Sequence, residues 1–345
     1  MCILALADDM TGALEVGAKF SGAGIRTLVS TKPVSASSAH VIVLDTETRH
    51  TSPQVAAAEV KRFVLESGAI HPRLIYKKTD STLRGNISAE LQALAELYPD
   101  WRIGYAPAYP ALGRTVKLGV LYVDGVAVEH TAFAQDARNQ VHSSSVRAML
   151  HAELPCTIFD GETDAHLREA ARSILADPSM RIAAGPAGLA EMIAAQIDLP
   201  RAAPPPLPAV RTCLVMNGSL HERSALQMRY GQAPGWKVLR REHSPGADPV
   251  QVARDNSKYL VEQMATDRPD AIFVIGGDTA FAVIAALGLP PLSPIGEVVP
   301  GVPVTRIGDL QPERTSDLLL ITKAGGFGDP DVLCQVRQKL ETDAQ

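Results

Sequence analysis

Short apolar runs alternate with amphipathic segments along almost the whole chain, and this alternation constrains the fold more than any other feature of the sequence. Strands that alternate with helices form a mostly parallel sheet covered by helices on both faces. The strands predicted in the first part of the chain are Ile3–Ala7, Val41–Leu44, Leu74–Tyr76, Ile103–Ala106, Thr157–Phe159 and Ile182–Ala184. The helices predicted there are Gly12–Ser21, Pro53–Glu66, Ile87–Leu97, Ala165–Leu175 and Ala187–Gln196. We therefore predict an α/β fold, with either a hairpin or an extended arm in the less regular stretch 121–135.

A proline-rich segment at residues 201–210 interrupts the alternation and indicates a boundary between two domains. Its prolines favour an extended, semi-rigid spacer and cannot continue a helix. Beyond it we predict strands Thr212–Met216, Ala271–Ile275 and Leu318–Thr322, and helices Leu220–Tyr230, Val250–Thr266, Thr279–Leu287 and one that begins at Asp331. The sequence thus predicts an N-terminal domain over residues 1–200 and a C-terminal domain over residues 211–345, each a mostly parallel sheet flanked by helices.

The overall composition limits the classes of partner. The chain carries a net charge of −5 and has a pI near 6.0, which argues against nucleic acid as its main partner. No apolar run reaches the roughly 20 residues that span a bilayer, and the first residues lack the features of a signal peptide. The cysteines are scattered (Cys2, Cys156, Cys213 and Cys334), which favours reduced core residues in a cytoplasmic protein. We expect no membrane partner and no structural zinc site, and we leave a homodimer open.

The richest polar cluster, residues 77–86, follows the predicted strand Leu74–Tyr76 directly. It holds the cations Lys77, Lys78 and Arg84, the carboxylate Asp80, the hydroxyls Thr79, Ser81 and Thr82, and the amide Asn86. Open α/β folds bind ligands at the carboxyl ends of their strands. The cations suit an anionic ligand, and the hydroxyls suit a polyol. The alternative is a salt-bridged cap on the following helix.

Similar polar segments follow other predicted strands of the first domain. Asp8 and Asp9 are adjacent carboxylates, which repel each other and call for a positive partner or a hydroxyl-bearing ligand; the alternative is a helix cap. Arg49 could clamp a carboxylate with two parallel hydrogen bonds, or form a surface ion pair with Glu47. Arg114, after two prolines and a glycine, could point into the same cleft or belong to a structural corner.

The second domain carries three glycine-rich turns at predicted strand ends, at residues 217–219, 276–280 and 323–328. Glycine lets the backbone approach phosphate oxygens closely, and free N–H groups at the start of a helix bind anions. Three such turns in one domain favour a nucleotide site. The chain contains no P-loop motif, and no Gly-x-Gly-x-x-Gly opens its first helix, which disfavours a dinucleotide-binding oxidoreductase.

Taken together, these strings resemble the four-carbon acid sugar kinases, which phosphorylate threonate, erythronate or 3-oxo-tetronate with ATP. The strings that carry the resemblance begin at residues 8, 77, 107, 185, 217, 276 and 323, and they occur in the order typical of that family. The resemblance extends from Ala7 to about Leu333. The chain resembles an abbreviated member, shortened before the proline-rich segment and between Ser219 and Gly276.

The resemblance implies an N-terminal domain that binds the acid sugar, a C-terminal domain that binds the nucleotide, and an active site in the cleft between them. The implied substrate-binding residues are Asp9, Arg49, Lys78, Thr79, Asp80, Ser81 and Arg84. The implied nucleotide-binding residues are Ser219, Gly276, Gly277, Asp278, Thr279, Lys323, Gly325 and Gly326. We expect Asp9, Lys78 and Asp80 to act in catalysis, with Asp9 as the first candidate base and Asp80 as the second. The implied cofactors are ATP and Mg²⁺.

Three alternatives stay open from the sequence. One is a kinase of another small hydroxy acid, such as a glycerate. A second is a catalytically weakened protein that still binds nucleotide or sugar acid, which the shortened second domain would favour. The third, an oxidoreductase, is disfavoured by the missing dinucleotide motif.

Overall fold

The computed structural model describes residues 2–34, 38–68, 71–136, 138–219, 221–241, 247–288, 291–307 and 318–342. The chain divides into two compact units, Met1–Ala203 and Pro204–Gln345. Each unit is built around a sheet of its own.

The first unit alternates strands and helices from its first described residues onward. Its strands are β1 (Ile3–Ala7), β2 (Thr27–Ser30), β3 (Val41–Asp45), β4 (Leu74–Lys78), β5 (Ile103–Tyr105), β6 (Arg114–Lys117), β7 (Val120–Val123), β8 (Val126–Ala127), β9 (Cys156–Ile158) and β10 (Ile182–Gly185). Its α-helices are α1 (Met10–Gly22), α2 (Pro53–Glu66), α3 (Ile87–Leu97), α4 (Asp164–Ala176) and α5 (Ala187–Gln196). Short 3₁₀ turns lie at Pro110–Leu112, Val128–His130, Ala132–Gln135 and Arg147–Met149.

The main sheet of this unit is parallel, in the order β2-β3-β1-β4-β10-β5-β9. After β1 the chain builds β2 and β3 on one side and then crosses to β4 on the other. The strand order therefore reverses between β1 and β4, where open α/β sheets bind their ligands. The carboxyl ends of β3, β1 and β4 are neighbours at this point.

Strands β1, β3 and β4 are buried along their whole length. Such strands read as continuous apolar runs, because helices cover both faces of a parallel sheet. Local signals fix the helix starts. Asp9 caps α1 through the N–H of Gly12, and Ser52 caps α2 directly before Pro53.

A small antiparallel sheet, β6-β7-β8, is inserted between β5 and β9. It is followed by the 3₁₀ turns Val128–His130 and Ala132–Gln135. The stretch 121–135 thus forms a hairpin, one of the two structures that its sequence left open.

The second unit contains strands β11 (Cys213–Asn217), β12 (Trp236–Leu239), β13 (Ala271–Ile275), β14 (Ser293–Val299), β15 (Val302–Arg306) and β16 (Leu319–Lys323). Its helices are α6 (Glu222–Gln227), α7 (Pro249–Asp267), α8 (Gly277–Ala286) and α9 (Val332–Thr342). The sheet order is β12-β11-β13-β16-β15-β14, parallel from β12 to β16 and antiparallel at β15 and β14. Leu220, where we predicted a helix to begin, lies outside the described residues.

The predicted fold class is confirmed: both units are mostly parallel α/β sheets flanked by helices. The sequence pattern did not reveal β2, β6, β12, β14 and β15. Within the described ranges, no helix combines the length and the hydropathy that crossing a bilayer requires.

Candidate functional site

The carboxyl ends of β1, β3 and β4 bring three polar segments together around the guanidinium of Arg49. Asp8 and Asp9 follow β1, Arg49 lies in the loop after β3, and Asp80 follows β4. The Arg49 side chain is only 11% exposed, and those of Asp8, Asp9 and Asp80 are 1%, 13% and 6% exposed. The site is therefore largely closed to water in the first unit itself.

Arg49 forms two forked ion pairs, one with each of the adjacent aspartates. Its Nε and Nη2 donate to Asp8 at 2.9 and 2.7 Å, and its Nη1 and Nη2 donate to Asp9 at 2.7 and 2.8 Å. The sequence predicted a positive partner for the two carboxylates, and this partner is Arg49. Its fork therefore faces carboxylates of the protein, rather than Glu47 in a surface ion pair.

The charge balance around Asp8 follows from these contacts. Burial alone would raise the pKa of Asp8, but the positive charges of Arg49 and Lys77 outweigh burial and lower it. Asp8 is consequently held as a carboxylate that keeps Arg49 in place.

Asp80 is saturated by donors from its own loop. It accepts hydrogen bonds from the backbone N–H and hydroxyl of Thr82, and from Nε and Nη2 of Arg84 at 3.0 and 2.9 Å. Burial would raise the pKa of Asp80, but Arg84 and Arg49 hold it well below its usual value. Arg84 also donates to Asp136 at 3.2 Å and lies over the ring of Phe133. Both predicted residues, Asp80 and Arg84, are thus committed mainly to each other.

The adjacent lysines Lys77 and Lys78 point to opposite faces of the sheet, as successive strand residues do. Lys77 is fully buried, and its Nζ lies 3.0 Å from Glu90 of α3. Lys78 is 5% exposed, and its Nζ donates to the carbonyl oxygen of Thr79 at 3.0 Å. Among the described residues this carbonyl is the one hydrogen-bond partner of the Lys78 ammonium. Lys78 therefore retains donors for an anion.

Lys78 lies against the beginning of α1. A Cβ added to Gly12 would sit 2.9 Å from Lys78 Nζ and 2.6 Å from Asp9 Oδ1, so a larger residue here would displace one or both of these charged groups. The ammonium, the Asp9 carboxylate and the positive end of a helix dipole are thus close together. This combination can bind a carboxylate beside a hydroxyl.

Thr79 and Ser81, which the sequence also placed in the site, are 1% and 2% exposed. The N–H of Thr79 donates to Gly185 at the end of β10, which fixes the loop to the next strand. The Ser81 hydroxyl is buried without a hydrogen-bond partner in the part of the chain that the structure describes. Buried hydroxyls are rarely left in that state, which marks Ser81 as a contact for a ligand or a water.

A second acidic pair lies beside α1 and was not predicted as part of the site. Glu47 accepts from the N–H of Met10, and its own N–H donates to Asp45. Burial, followed by the charge of Glu47, raises the pKa of Asp45 well above its usual value. Glu47 has a left-handed backbone, with φ 48°, which is uncommon for a residue other than glycine. The only sequence feature that could have indicated this pair is the presence of two acidic residues, Asp45 and Glu47, within three positions.

In the second unit the three glycine-rich turns meet at one edge of the sheet, because β11, β13 and β16 are parallel neighbours. The N–H of Gly218 donates to Ile275 at 2.8 Å, and that of Gly276 donates to Lys323 at 2.9 Å. A Cβ on Gly325 would lie 1.9 Å from Ser219 Oγ. The turns therefore pack so closely that only glycine fits.

Gly276 has φ 110° and directly precedes α8, so the first N–H groups of that helix border the turn. Asp278 and Thr279 lie in its first turn, and Thr279 is buried against Gly218. Backbone N–H groups at a helix start, beside glycines without side chains, are what a nucleotide phosphate requires. The turn residues present fit ATP.

Lys323, which the sequence placed among the nucleotide-binding residues, is buried at the end of β16 and directs its ammonium at the backbone of the turn. Its Nζ donates to the carbonyl oxygens of Ala324, Gly325 and Phe327 at 2.7, 3.3 and 2.9 Å. Burial lowers the pKa of Lys323 to about 7, and the charge of Arg223 acts in the same direction. Lys323 thus shapes the turn from inside. Gly326 lies in the turn that the Lys323 ammonium holds.

The described residues contain no cluster of three or more His, Cys, Asp or Glu side chains suited to a metal ion. Mg²⁺ in phosphoryl transfer is commonly held by phosphates, waters and one or two carboxylates. Asp278 is the carboxylate that the nucleotide turn offers for such a contact.

Comparison with known proteins agrees with this division of chemistry. Residues 3–155 match the family model of a sugar-binding N-terminal domain, and residues 241–333 match that of a nucleotide-binding C-terminal domain. A D-threonate kinase from Bordetella bronchiseptica is 28% identical over 397 aligned positions, which cover 97% of this chain and 96% of that protein. A D-threonate kinase from Cupriavidus necator is 29% identical over 417 positions, covering 99% and 98%.

Both alignments are longer than the 345 residues of this chain, so these relatives carry segments that it lacks. A crystal structure of a Bordetella bronchiseptica protein, a domain-swapped dimer with bound citrate, has a TM-score of 0.53 at 27% identity and covers 99% of this chain and 98% of that one. Other relatives are named D-erythronate kinase and 3-oxo-tetronate kinase. Over nearly its whole length the chain is thus similar to four-carbon acid sugar kinases, and it is shorter than these relatives.

Proposed function

We propose that this protein is an ATP-dependent kinase that phosphorylates the terminal hydroxyl of a four-carbon acid sugar. The observation that carries this proposal is the pairing of two chemistries in one chain. The first unit has a buried ammonium, Lys78, beside the Asp9 carboxylate, and the second has three glycine turns at a helix start. The near full-length relatives named D-threonate kinase support the same substrate class.

In the acid-sugar site, Lys78 binds the substrate carboxylate, because its ammonium is buried and retains donors. Ser81 and Thr79 line the polyol, and the Ser81 hydroxyl gains the partner that it otherwise lacks. Arg49 acts beside them by fixing Asp9, and Arg84 acts by fixing Asp80.

Asp9 remains the first candidate for the residue that accepts a hydrogen bond from the attacking hydroxyl. It is the most exposed of the three aspartates around Arg49, at 13%. Asp80 is the second candidate because it is less exposed, at 6%; the carboxylates of both aspartates already accept hydrogen bonds, that of Asp9 from Thr11, Gly12 and Arg49 and that of Asp80 from Thr82 and Arg84. Phosphoryl transfer needs an oriented hydroxyl in line with the γ-phosphate, more than it needs a strong base.

In the second unit, Ser219, the turn Gly276 to Thr279, and Gly325 with Gly326 bind the ATP phosphates through backbone N–H groups. Mg²⁺ would supply positive charge that offsets the charge of the phosphates, and Asp278 is the carboxylate of this turn that would hold it. Lys323 supports ATP binding indirectly, because its hydrogen bonds to backbone carbonyl oxygens hold the turn in its conformation.

The decisive experiment is an ADP-release assay with Mg-ATP against D- and L-threonate, D- and L-erythronate, 3-oxo-tetronates and glycerate. Reactions without acceptor measure ATP hydrolysis, and reactions with excess chelator measure the metal requirement. Turnover on one four-carbon acid above the acceptor-free rate is the expected result. Turnover on glycerate alone would move the protein to another class of hydroxy-acid kinase. If none of these acids is phosphorylated but ATP still binds, the protein is a binding protein rather than a kinase.

We further propose a cytoplasmic homodimer. The cysteines are all unpaired, as expected for a reducing compartment that also supplies ATP. The related Bordetella structure is a domain-swapped dimer. Light scattering coupled to size-exclusion chromatography tests the dimer, and a mass of one chain of 36.7 kDa would contradict it.

A further inference from the structure

Behind the acid-sugar site, on the opposite face of the sheet from Lys78, four buried polar side chains form a continuous network. Glu90 Oε2 lies 3.0 Å from Lys77 Nζ, and Glu90 Oε1 accepts a 2.5 Å hydrogen bond from Thr48. The Thr48 oxygen also lies 2.8 Å from the Thr46 oxygen, a polar contact that has no donated proton while Thr48 donates to Glu90 and Thr46 donates to the carbonyl oxygen of Ala7 at 2.8 Å. These four side chains range from 0% to 6% exposed.

The network connects the three strand ends that carry the site. Ala7 ends β1 and precedes Asp8. Thr48 lies after β3 and precedes Arg49, and Lys77 lies in β4 and precedes Lys78. Lys77 also donates to the carbonyl oxygen of Lys78 at 3.0 Å. Thr48 and Lys77 are thus adjacent in sequence to Arg49 and Lys78, and Glu90 contacts both of them.

Thermodynamic stability alone is a weak reason for this arrangement. Removing a lysine and a glutamate from water costs several kcal/mol per ion, and apolar residues of similar volume often replace such a pair without loss of stability. A buried pair can instead fix one geometry among several, because its partners lose much if they separate. The charge of Lys77 also lowers the pKa of Asp8, which bonds Arg49 on the other side of the sheet.

We propose that Glu90 is a positioning residue for the acid-sugar site, which holds Arg49 through Thr48 and Lys78 through Lys77. This role rests on the proposed kinase function, and it adds Glu90, Thr48 and Lys77 to the residues on which that function depends. Glu90 does not contact the substrate. It sets the spacing between the loop after β3 and the end of β4.

The test uses the full chain and two changes that preserve packing. Thr48→Val removes one hydroxyl, with Thr48→Ser as its conservative partner, and Lys77→Met/Glu90→Leu replaces the ion pair with apolar side chains. Because misplacement by about 1 Å can cost about 10²-fold, we expect kcat/KM for the acid sugar to fall by that order in Thr48→Val and in the double variant. The KM for ATP should stay at its wild-type value, and Thr48→Ser should restore most of the activity.

Wild-type kcat/KM in both folded variants would overturn the proposal, as would an equal loss toward ATP and acid sugar, which indicates general loosening. A readout without catalysis separates this proposal from the proposed function. The rate at which phenylglyoxal modifies Arg49 is measured by mass spectrometry, with the exposed Arg172 as the internal control. Faster modification of Arg49 alone supports positioning, and unchanged modification counts against it. A wild-type protein that is inactive on every four-carbon acid counts against the kinase function instead.

Discussion

At the scale of single residues, the site is organised by one guanidinium between two adjacent carboxylates. Adjacent carboxylates repel each other, and Arg49 places a positive charge against both Asp8 and Asp9. Arg49 meets each with a forked pair of hydrogen bonds, a geometry that lysine cannot reproduce. The identity of residue 49 therefore matters to both folding and catalysis.

Replacing Arg49 separates these two contributions. Arg49→Ala leaves two buried carboxylates unpaired, so the free energy of unfolding should fall by about 3–5 kcal/mol in urea titrations at neutral pH. Arg49→Lys keeps the charge and should lose less stability, but it should still lower kcat/KM for the acid sugar because the forks are lost. Arg49→Ala with unchanged stability would show that the two pairs contribute nothing to folding.

Substitutions of Asp9 and Asp80 are expected to change different kinetic constants. Asp9→Asn keeps the volume and the helix cap but weakens the acceptor, so kcat should fall by about 10²-fold if Asp9 orients the hydroxyl. Asp80→Asn should mainly loosen the loop around Arg84 and raise the KM for the acid sugar. Steady-state kinetics on both variants measure these effects. A larger loss of kcat in Asp80→Asn than in Asp9→Asn would indicate that Asp80, rather than Asp9, orients the attacking hydroxyl.

At the scale of elements, local signals determined what the sequence could predict. Helix α2 was predicted to the residue, because Ser52 and Pro53 mark its start by their own chemistry. Strand β2 was missed, because its apolar run is only two residues long, Leu28 and Val29, and its pairing with β3 is not visible in the sequence. The parallel order brought the polar loops after β1, β3 and β4 together as expected. Glu90 was missed, because a single glutamate on an amphipathic helix resembles a surface residue until its buried partner is known.

The turn before α8 provides a test with a matched control. Gly276→Ala introduces a side chain at φ 110°, with Gly218 and Ser219 at 3.4 Å, whereas Gly288→Ala introduces one at φ 60° with no atom within 4 Å. Both changes strain the backbone by roughly 1–3 kcal/mol. Only Gly276→Ala should raise the KM for ATP, and neither should alter the KM for the acid sugar. Equal effects on ATP binding would show that strain alone, rather than the turn, is responsible.

The turn after β16 should respond to pH through Lys323, whose pKa lies near 7 in the fold. An unfolded lysine has a pKa of about 10.4, so between about pH 7 and pH 10 the unfolded chain binds a proton that the folded chain has released. The contribution of Lys323 to stability therefore rises with pH in this window, by at most about 1.4 kcal/mol per unit. Urea unfolding of wild type and Lys323→Met at several pH values measures it. A difference that stays constant with pH would contradict the lowered pKa.

At the scale of the whole molecule, each unit has its own sheet, its own core and its own group of candidate ligand contacts. Hydrogen exchange of the full chain can therefore assign the two ligands separately. A non-hydrolysable ATP analogue with Mg²⁺ should slow exchange in residues 217–219, 276–280 and 323–328. The acid sugar should slow exchange in residues 8–15, 45–50 and 78–86. Protection of the first unit by the nucleotide alone, with none in the second, would reverse the assignment of the two units.

The opposite orientation of Lys77 and Lys78 makes the length of β4 part of the chemistry. In a strand, a shift of one residue moves every side chain to the other face. A deletion of one residue between Leu74 and Lys77 would move Lys78 into the place of Lys77, beside Glu90, and would leave Thr79 in the place of Lys78. An insertion there would instead move Lys77 into the place of Lys78 and leave Tyr76 beside Glu90, so in either case one of the two ammonium groups would be lost. We expect such a register shift in β4 to lower activity more than substitution of either lysine alone. Function therefore depends on the spacing of residues along β4 as well as on the identity of the two lysines.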